Sequence, residues 1–234
     1  MMYETWDAHG VARWAKLSRA ALLNPANPGA RTSTRVALSR NMIESSMLWR
    51  VRRETTAHHA TADRDRLSVL SDAADISGYA AYLARVYGFE APIESALANT
   101  RWVDALIDFG GRNQIGLLRS DLHALGVEHR GLPRCATGFP FPHPAEALGW
   151  MYVIERNTLL HFAIGRQLRW RVPSRYFATE PHTTGTRLRA LGAAMERVCA
   201  VENVSDRIIA AAKIAFELQR DWYAAVAVPR RRVA

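Results

Sequence analysis

The sequence predicts an all-α fold of about seven or eight helices, because apolar residues recur at the three- and four-residue spacing of a helix face. This periodicity begins near Ile43 and continues to the C-terminal region, and no run alternates in the way of a half-buried strand. Glycine and proline separate the periodic runs. With 234 residues, 49% of them apolar, the chain is long enough to bury the core of one domain.

The N-terminal part differs in composition from the rest. Residues 1–42 are predicted to be an extension and linker, with a short helix at Trp6–Leu23 followed by the Pro-, Gly- and Asn-rich stretch Asn24–Arg35. The helical domain is expected to span residues 43–228, followed by a basic tail at 229–234. We expect Met1–Arg35 to be dispensable for the functional site.

Within the helical domain, each predicted helix has its own boundary signals. The first half contains runs over Met47–His59, Tyr79–Tyr87 (ended by Gly88), Pro92–Leu106 (stopped by Gly110–Gly111) and Leu117–Leu125 (ended by Gly126). A loop over Val127–His143 follows. The second half contains helices from Pro144 to Arg171, over Thr184–Val201, and over Val204–Ala224 with Asn203 as N-cap.

Charge and cysteine content narrow the possible functions. The net charge is +9, but almost all basic residues are scattered arginines, and no nucleic-acid recognition module accompanies them, so nucleic-acid binding is not expected. No apolar stretch approaches a membrane span, and Met1–Gly10 lacks the hydrophobic core of a signal peptide, so we expect a cytoplasmic protein. Cys135 and Cys199 form neither a disulfide framework nor a cysteine metal site.

A pair of adjacent histidines offers a candidate ligand. His59 continues a stripe through Val51 and Thr55, and Asp63 follows one turn later on the same face. A ligating imidazole usually donates its second N–H to a carboxylate, and His58 has only Ala62 at that spacing, so His59 is the better candidate. An aspartate one turn from a histidine is also common without any ligand, and a structural role for His59 remains open.

Four segments, in this order, resemble the biliverdin-producing heme oxygenases, particularly the small bacterial kind found with bacteriophytochromes. They are Val51-Arg52-x-x-Thr55-x-x-x-His59-x-x-x-Asp63, the tyrosine-rich run Tyr79–Glu94, the leucine run Leu117–Gly126, and Ala145–Glu155 (AEALGWMYVIE). Alone, the last segment is typical of a core helix. Gly185-Thr186-Arg187 and Ala212-x-x-x-Phe216 fit the C-terminal helices of the family less specifically. Together the matches extend from about Leu48 to Trp222, and they imply a heme oxygenase-like bundle in which the helices of His59 and Trp150 face each other across a pocket.

The resemblance also implies a chemistry. His59 would be the axial ligand of heme iron with Asp63 as its partner, and Arg52 would lie near a propionate. Thr55, Met151 and Arg156 would contact heme, while Asn157, Leu160 and His161 would form the catalytic distal side. Heme and O2 would then yield biliverdin, CO and iron, with electrons from an external donor such as a ferredoxin or a flavoprotein reductase. A bacteriophytochrome would be the candidate partner.

One departure from the family pattern creates an alternative. After the glutamate the family usually has G-S-T-L-G-G, whereas this chain has Arg156-Asn157-Thr158-Leu159-Leu160-His161. The missing glycines would otherwise let the helix backbone lie against heme, since they have no Cβ. Leu160 would therefore crowd the oxygen site, and His161 would either approach the iron or face outward. The alternative is a non-catalytic heme- or tetrapyrrole-binding relative, such as a sensor, carrier or photoreceptor partner. A third is a helical scaffold that has lost heme, or a basic protein that acts on nucleic acid.

Overall fold

The computed structural model describes residues 45–71, 75–100, 103–136, 141–161, 164–165, 174–178 and 181–225. Within these ranges the regular structure is entirely helical, with no strand. The predicted helix Trp6–Leu23, the linker Asn24–Arg35 and the tail 229–234 lie outside the described residues. No helix among the described residues is both long and apolar enough to cross a membrane.

The described residues contain eight α-helices. They are α1 (Ser46–Glu54), α2 (Thr56–Ser71), α3 (Ile76–Ala98), α4 (Val103–Leu106), α5 (Ile115–Ala124), α6 (Pro144–Asn157), α7 (Pro181–Val201) and α8 (Ser205–Ala225). Short 3-10 turns form at Gly110–Arg112, Thr158–Leu160 and Tyr176–Ala178.

The core lies where α8 packs along α6, and both helices also contact α7. Gly149 permits this close packing, because a Cβ there would lie 2.5 Å from the carbonyl oxygen of Ile208 and 2.7 Å from the Cβ of Ala211. Pro144 occupies the first turn of α6, as predicted, and the ring of His143 caps that helix by accepting the N–H of Ala145 at 3.1 Å. Helix α6 is thus fixed at its start and along one face.

Helix α3 corrects the predicted break at Gly88 and Pro92, because it runs unbroken through both residues. Pro92 has no N–H, so it cannot bond to the carbonyl of Gly88 one turn earlier. The N–H of Cys135, in the loop before α6, donates to that carbonyl instead at 2.9 Å. The bond that proline removes is therefore replaced by a contact from a distant part of the chain, which local sequence signals cannot reveal.

Other predicted boundaries also move. The run predicted to reach Leu106 ends at Ala98, and α4 is a separate short helix. Helix α8 begins one residue later than predicted, since the first intrahelical bond runs from Ile208 N–H to the carbonyl of Val204 rather than Asn203.

The helix predicted from Pro144 to Arg171 leaves the α conformation at Asn157 and tightens into the 3-10 turn. The Thr158 hydroxyl donates to the carbonyl of Glu155 at 2.7 Å, a bond that favours the tighter turn. The end of the α5 run before Gly126 is confirmed.

Replacing Gly88 by Ala is expected to destabilise the protein by about 1–3 kcal/mol, because overpacking forces the neighbours apart. A Cβ at Gly88 would lie 2.4 Å from the Pro133 carbonyl oxygen and 2.5 Å from Cζ2 of Trp222. Urea unfolding monitored by circular dichroism measures the change.

The matched control is Gly116→Ala in α5, where a Cβ meets nothing within 4 Å. This variant is expected to be neutral or more stable by about 0.5–1 kcal/mol, because alanine costs less backbone entropy in a helix. Equal effects of the two substitutions would contradict the role of Gly88.

Candidate functional site

The site lies where α2 and α6 face each other. Thr55, His59 and Asp63 are spaced by four residues and share one side of the α2 segment, while Tyr152 and Arg156 share one side of α6. Contacts between these two rows close the space between the helices. We call these five residues the α2–α6 seam.

His59 is held by two hydroxyl groups. Its Nε2 lies 2.8 Å from Oγ1 of Thr55 and 3.1 Å from the hydroxyl oxygen of Tyr152. The Thr55 hydroxyl donates its only proton to the carbonyl of Val51 at 2.7 Å, so its oxygen accepts a proton from His59. The network therefore requires the His59 tautomer that carries its proton on Nε2.

Two aromatic rings lie beside the His59 imidazole, which stays partly exposed. Its centroid lies 4.8 Å from that of Phe216 on α8 and 5.7 Å from that of Tyr152. Burial lowers the pKa of His59 from 6.5 to about 2, and the positive charges of Arg156 and Arg52 lower it further. The imidazole is thus neutral at physiological pH, the form in which histidine binds a metal.

Asp63 does not bond to His59, contrary to the prediction. Both of its carboxylate oxygens accept N–H groups from the guanidinium of Arg156 in a bidentate pair. The side chains of Arg156 and Asp63 are only 7% and 17% exposed. A fork-shaped guanidinium is a stronger partner for a carboxylate than an imidazole N–H, and the His59 N–H is already donated to Thr55.

One turn beyond Asp63, Arg66 enters a set of polar side chains in the interior, which we call the buried polar cluster. Its fully buried guanidinium donates to the Tyr82 hydroxyl at 3.1 Å, the Tyr176 hydroxyl at 3.3 Å and the Asn157 carbonyl at 3.4 Å. Glu90 lies 3.8 Å from Arg66 and accepts the Tyr176 hydroxyl proton at 2.7 Å.

Together, the seam and the buried polar cluster link α2 to α6 in three steps. His59 meets Tyr152, Asp63 meets Arg156, and Arg66 meets the carbonyl of Asn157. From one contact to the next, the residue number increases on both helices. Tyr152 and Arg66 were not predicted from the sequence. Tyr152 and Arg156 are four residues apart, as His59 and Asp63 are, and this shared spacing was a usable signal for Tyr152.

The predicted distal residues are dispersed rather than gathered at His59. The Asn157 side chain donates to Gln219 at 3.1 Å. His161 neither approaches the seam nor faces outward, because it is fully buried with its ring 4.3 Å from that of Tyr176 and 5.1 Å from that of Phe177. Leu160 and Met151 are buried at 3% and 2% exposure, and Met151 belongs to the apolar core.

Arg52 lies on α1, is partly exposed, and carries a positive charge that acts on His59.

In the part of the chain that the structure describes, no three His, Cys, Asp or Glu side chains are arranged to hold a metal ion together.

The architecture matches that of a known enzyme fold. The crystal structure of heme oxygenase from Neisseria meningitidis, solved with NO and CO bound, superposes with a TM-score of 0.62 over 80% of this chain and 98% of that chain. Sequence identity is 19%, so the likeness establishes the fold. The predicted all-α, heme oxygenase-like fold is confirmed. No protein-family model and no curated protein sequence matches the chain.

The neutral state of His59 makes the stability of the protein pH-dependent. In the unfolded chain His59 binds a proton near pH 6.5, but in the folded chain it does not until about pH 2, so the His59 contribution to stability is full above pH 6.5 and falls as pH drops below it. The His59 contribution between pH 7.5 and 5.5 is about 1 kcal/mol, since each pKa unit is worth about 1.4 kcal/mol.

His59→Gln keeps an N–H donor but removes the titration. When pH is lowered from 7.5 to 5.5, the free energy of unfolding of this variant is expected to fall by about 1 kcal/mol less than that of the wild type. Urea unfolding at each pH measures the difference, and parallel pH curves for the two proteins would show that His59 is not held neutral by burial.

Proposed function

We propose that the protein is a heme-binding relative of the heme oxygenases, with His59 as the axial ligand and with ring opening slow or lost. The observation that carries the proposal is the position of the partly buried His59 imidazole, whose Nε2 faces α6 and lies 3.1 Å from the hydroxyl oxygen of Tyr152. The Neisseria protein of the same fold binds NO and CO as a heme oxygenase. Heme held here would supply an iron that undergoes redox and gas-binding chemistry.

The ligand side of the site suits heme. Burial keeps the imidazole unprotonated, and Thr55 holds the ring in one orientation through a 2.8 Å hydrogen bond. This bond orients the ring only before a metal binds, because ligation through Nε2 breaks the bond and requires the proton to move to Nδ1. Phe216 excludes water from one side of the ring.

The opposite side of the site does not suit ring opening. Arg156 stands where the resemblance expects a glycine, and its guanidinium reaches across to Asp63. A ligand entering between the helices has to displace the Tyr152 hydroxyl and separate this pair. Separating a desolvated ion pair costs free energy because each charge loses its partner, so the pair lowers the affinity for any molecule that enters.

These contacts favour a protein that binds heme without opening the ring. The sequence motifs imply instead the activity of a heme oxygenase. Asn157 and His161, which the resemblance assigns to the catalytic distal side, are engaged in the interior. The release of biliverdin and CO, the external electron donor and the bacteriophytochrome partner all depend on ring opening, and they belong to the less supported alternative.

His59→Ala is expected to abolish imidazole ligation of added hemin, measured from the Soret band and from resonance Raman spectra. The matched control is His58→Ala on the neighbouring position, where the side chain faces Glu217 at 3.6 Å instead of α6. The control should retain ligation. Loss of ligation in the control but not in His59→Ala would show that the ligand is His58, and loss in neither would overturn the proposal.

Adding ascorbate under air to the hemin complex tests the second half of the proposal. We expect the Soret band to persist without a biliverdin absorption, because Arg156 and Leu160 carry side chains where the resemblance expects the glycines of the distal helix. Rapid conversion to biliverdin would instead identify the protein as an active heme oxygenase.

Arg156→Ala is expected to bind hemin about tenfold more tightly, because the ion pair no longer has to be separated. Asp63→Asn changes the net charge in the opposite direction and should also increase affinity. Arg207→Ala, which removes an exposed arginine paired with Glu146, serves as the charge control. Opposite effects of Arg156→Ala and Asp63→Asn would mean that charge, and not closure of the seam, controls affinity.

A further inference from the structure

Two arginines from different parts of the chain converge on one tyrosine outside the α2–α6 seam. Nε of Arg119, on α5, donates to the hydroxyl oxygen of Tyr87 at 3.4 Å, and Nη2 of Arg134, in the loop before α6, donates to the same oxygen at 3.4 Å. The two nitrogens are therefore at most 6.8 Å apart, which is twice the 3.4 Å between each of them and the shared oxygen. We call Arg119 and Arg134 the arginine pair.

Tyr87 is a fixed platform for these side chains. It belongs to α3 and is fully buried, whereas both members of the arginine pair are exposed. The Cζ atoms of Arg119 and Arg134 lie 5.9 Å and 5.6 Å from the centroid of the Tyr87 ring, within the range of a cation–π contact. The ring of His129 packs edge-on against the same tyrosine at a centroid distance of 5.6 Å.

The arginine pair is bonded to a neutral group. Among the described residues, neither Arg119 nor Arg134 has a carboxylate within salt-bridge distance. Each donates one N–H to the Tyr87 hydroxyl oxygen, so four of the five N–H groups of each guanidinium have no protein acceptor in the described part of the chain. These remaining donors belong to exposed side chains and can be reached by a ligand from solvent.

The carboxylates of the same segment have other partners. Residues 119–134 contain Asp121 and Glu128. Asp121 is buried and accepts three hydrogen bonds from residues 174–176. Glu128 accepts the N–H of Arg130 at 3.0 Å and lies 3.5 Å from Nδ1 of His129. The charge of the arginine pair therefore has no counter-ion within its own segment.

This arrangement is electrostatically incomplete. Two like charges held close together repel each other, and an anion that contacts both of them would remove this repulsion. The two bonds to Tyr87, at 3.4 Å, are longer than the usual ~2.9–3.0 Å of N–H···O bonds, so they orient the guanidiniums without holding them tightly.

We propose that the arginine pair binds the phosphate group of a small molecule on its exposed side, with Tyr87 as the residue that positions the two guanidiniums. A phosphate group accepts charge-assisted bonds of about 2.8 Å through several oxygens at once, so one group can bridge donors that are at most 6.8 Å apart. The planar guanidinium is well matched to phosphate. No residue of the α2–α6 seam takes part, so the site is independent of heme binding.

Sodium phosphate is the probe, and the backbone amides of Arg119, His129 and Arg134 in a 1H–15N spectrum report binding. We expect saturable shifts at these positions. Sodium acetate, at the same ionic strength, should bind at least about tenfold more weakly, because it offers two oxygens and a single charge. Equal shifts with sodium chloride would mean that salt screening causes them, and this result would overturn the site.

Glycerol 3-phosphate distinguishes a phosphate group carried by an organic molecule from free inorganic phosphate. We expect the ester to bind at least as tightly as inorganic phosphate, since the arginine pair is open to solvent. If the ester does not bind, the assignment to the phosphate group of a small molecule is wrong.

Arg134→Gln is the principal variant, because this residue is exposed and its replacement leaves the core intact. It should weaken phosphate binding about tenfold, and Arg119→Gln should have a similar effect. Arg130→Gln removes the same charge from an exposed position of the same loop and is the matched control, which should bind normally. Equal weakening by Arg130→Gln and Arg134→Gln would show that diffuse positive charge attracts the anion and would overturn the site.

Tyr87→Phe tests the positioning role, because it keeps the ring and every charge and removes the oxygen that both arginines share. We expect phosphate binding to weaken about threefold, with the fold verified by circular dichroism. Added to Arg134→Gln, the same change should have a smaller effect, since one of the two positioned groups is already absent. Unchanged affinity in Tyr87→Phe, or strictly additive effects in the double variant, would overturn this role of Tyr87.

Discussion

The buried guanidinium of Arg66 is the interaction on which the relation of α2 to α3 and α6 depends. Helix α2 packs mainly on α8 and makes few contacts with α6. Among the residues of α2 whose side chains are described, Ala62 and Leu67 are the buried apolar ones. Arg66 adds bonds to Tyr82 on α3, the carbonyl of Asn157 on α6, and Tyr176. A cation removed from water is tolerable only when its donors are matched, and removing one partner of such a set costs about 3–5 kcal/mol.

The position of Arg66 also determines what the seam can do. Because Arg66 fixes α2 against α6 at one end, His59 and Asp63 are brought within hydrogen-bonding distance of Tyr152 and Arg156. The same contacts that orient His59 as a neutral imidazole close the space in front of it. The contacts that orient His59 therefore also restrict access to it, and the Arg156–Asp63 pair is the main restriction.

Helices α3 and α6 owe their course to contacts from elsewhere in the chain. Proline and glycine inside α3 would each weaken an isolated helix. In the folded protein the loop before α6 supplies the hydrogen bond that Pro92 removes, and Trp222 of α8 packs where Gly88 has no side chain. Helix α6 similarly ends where Thr158 bonds to Glu155 and to Thr184 of α7. Distant partners thus decide where these helices end.

The sequence by itself determined the helical class, the start of α6 at Pro144, the end of α5 and the four-residue spacing that places Thr55, His59 and Asp63 on one side of their segment. These features depend on residue periodicity and local capping, which act over one or two turns. Only the tertiary structure decided that Asp63 binds Arg156 and not His59, that His161 and Asn157 turn to the interior, and that Arg66 and Glu90 are buried. The partner of a charged side chain depends on which helix lies opposite it, and helical spacing along one segment carries no information about that neighbour.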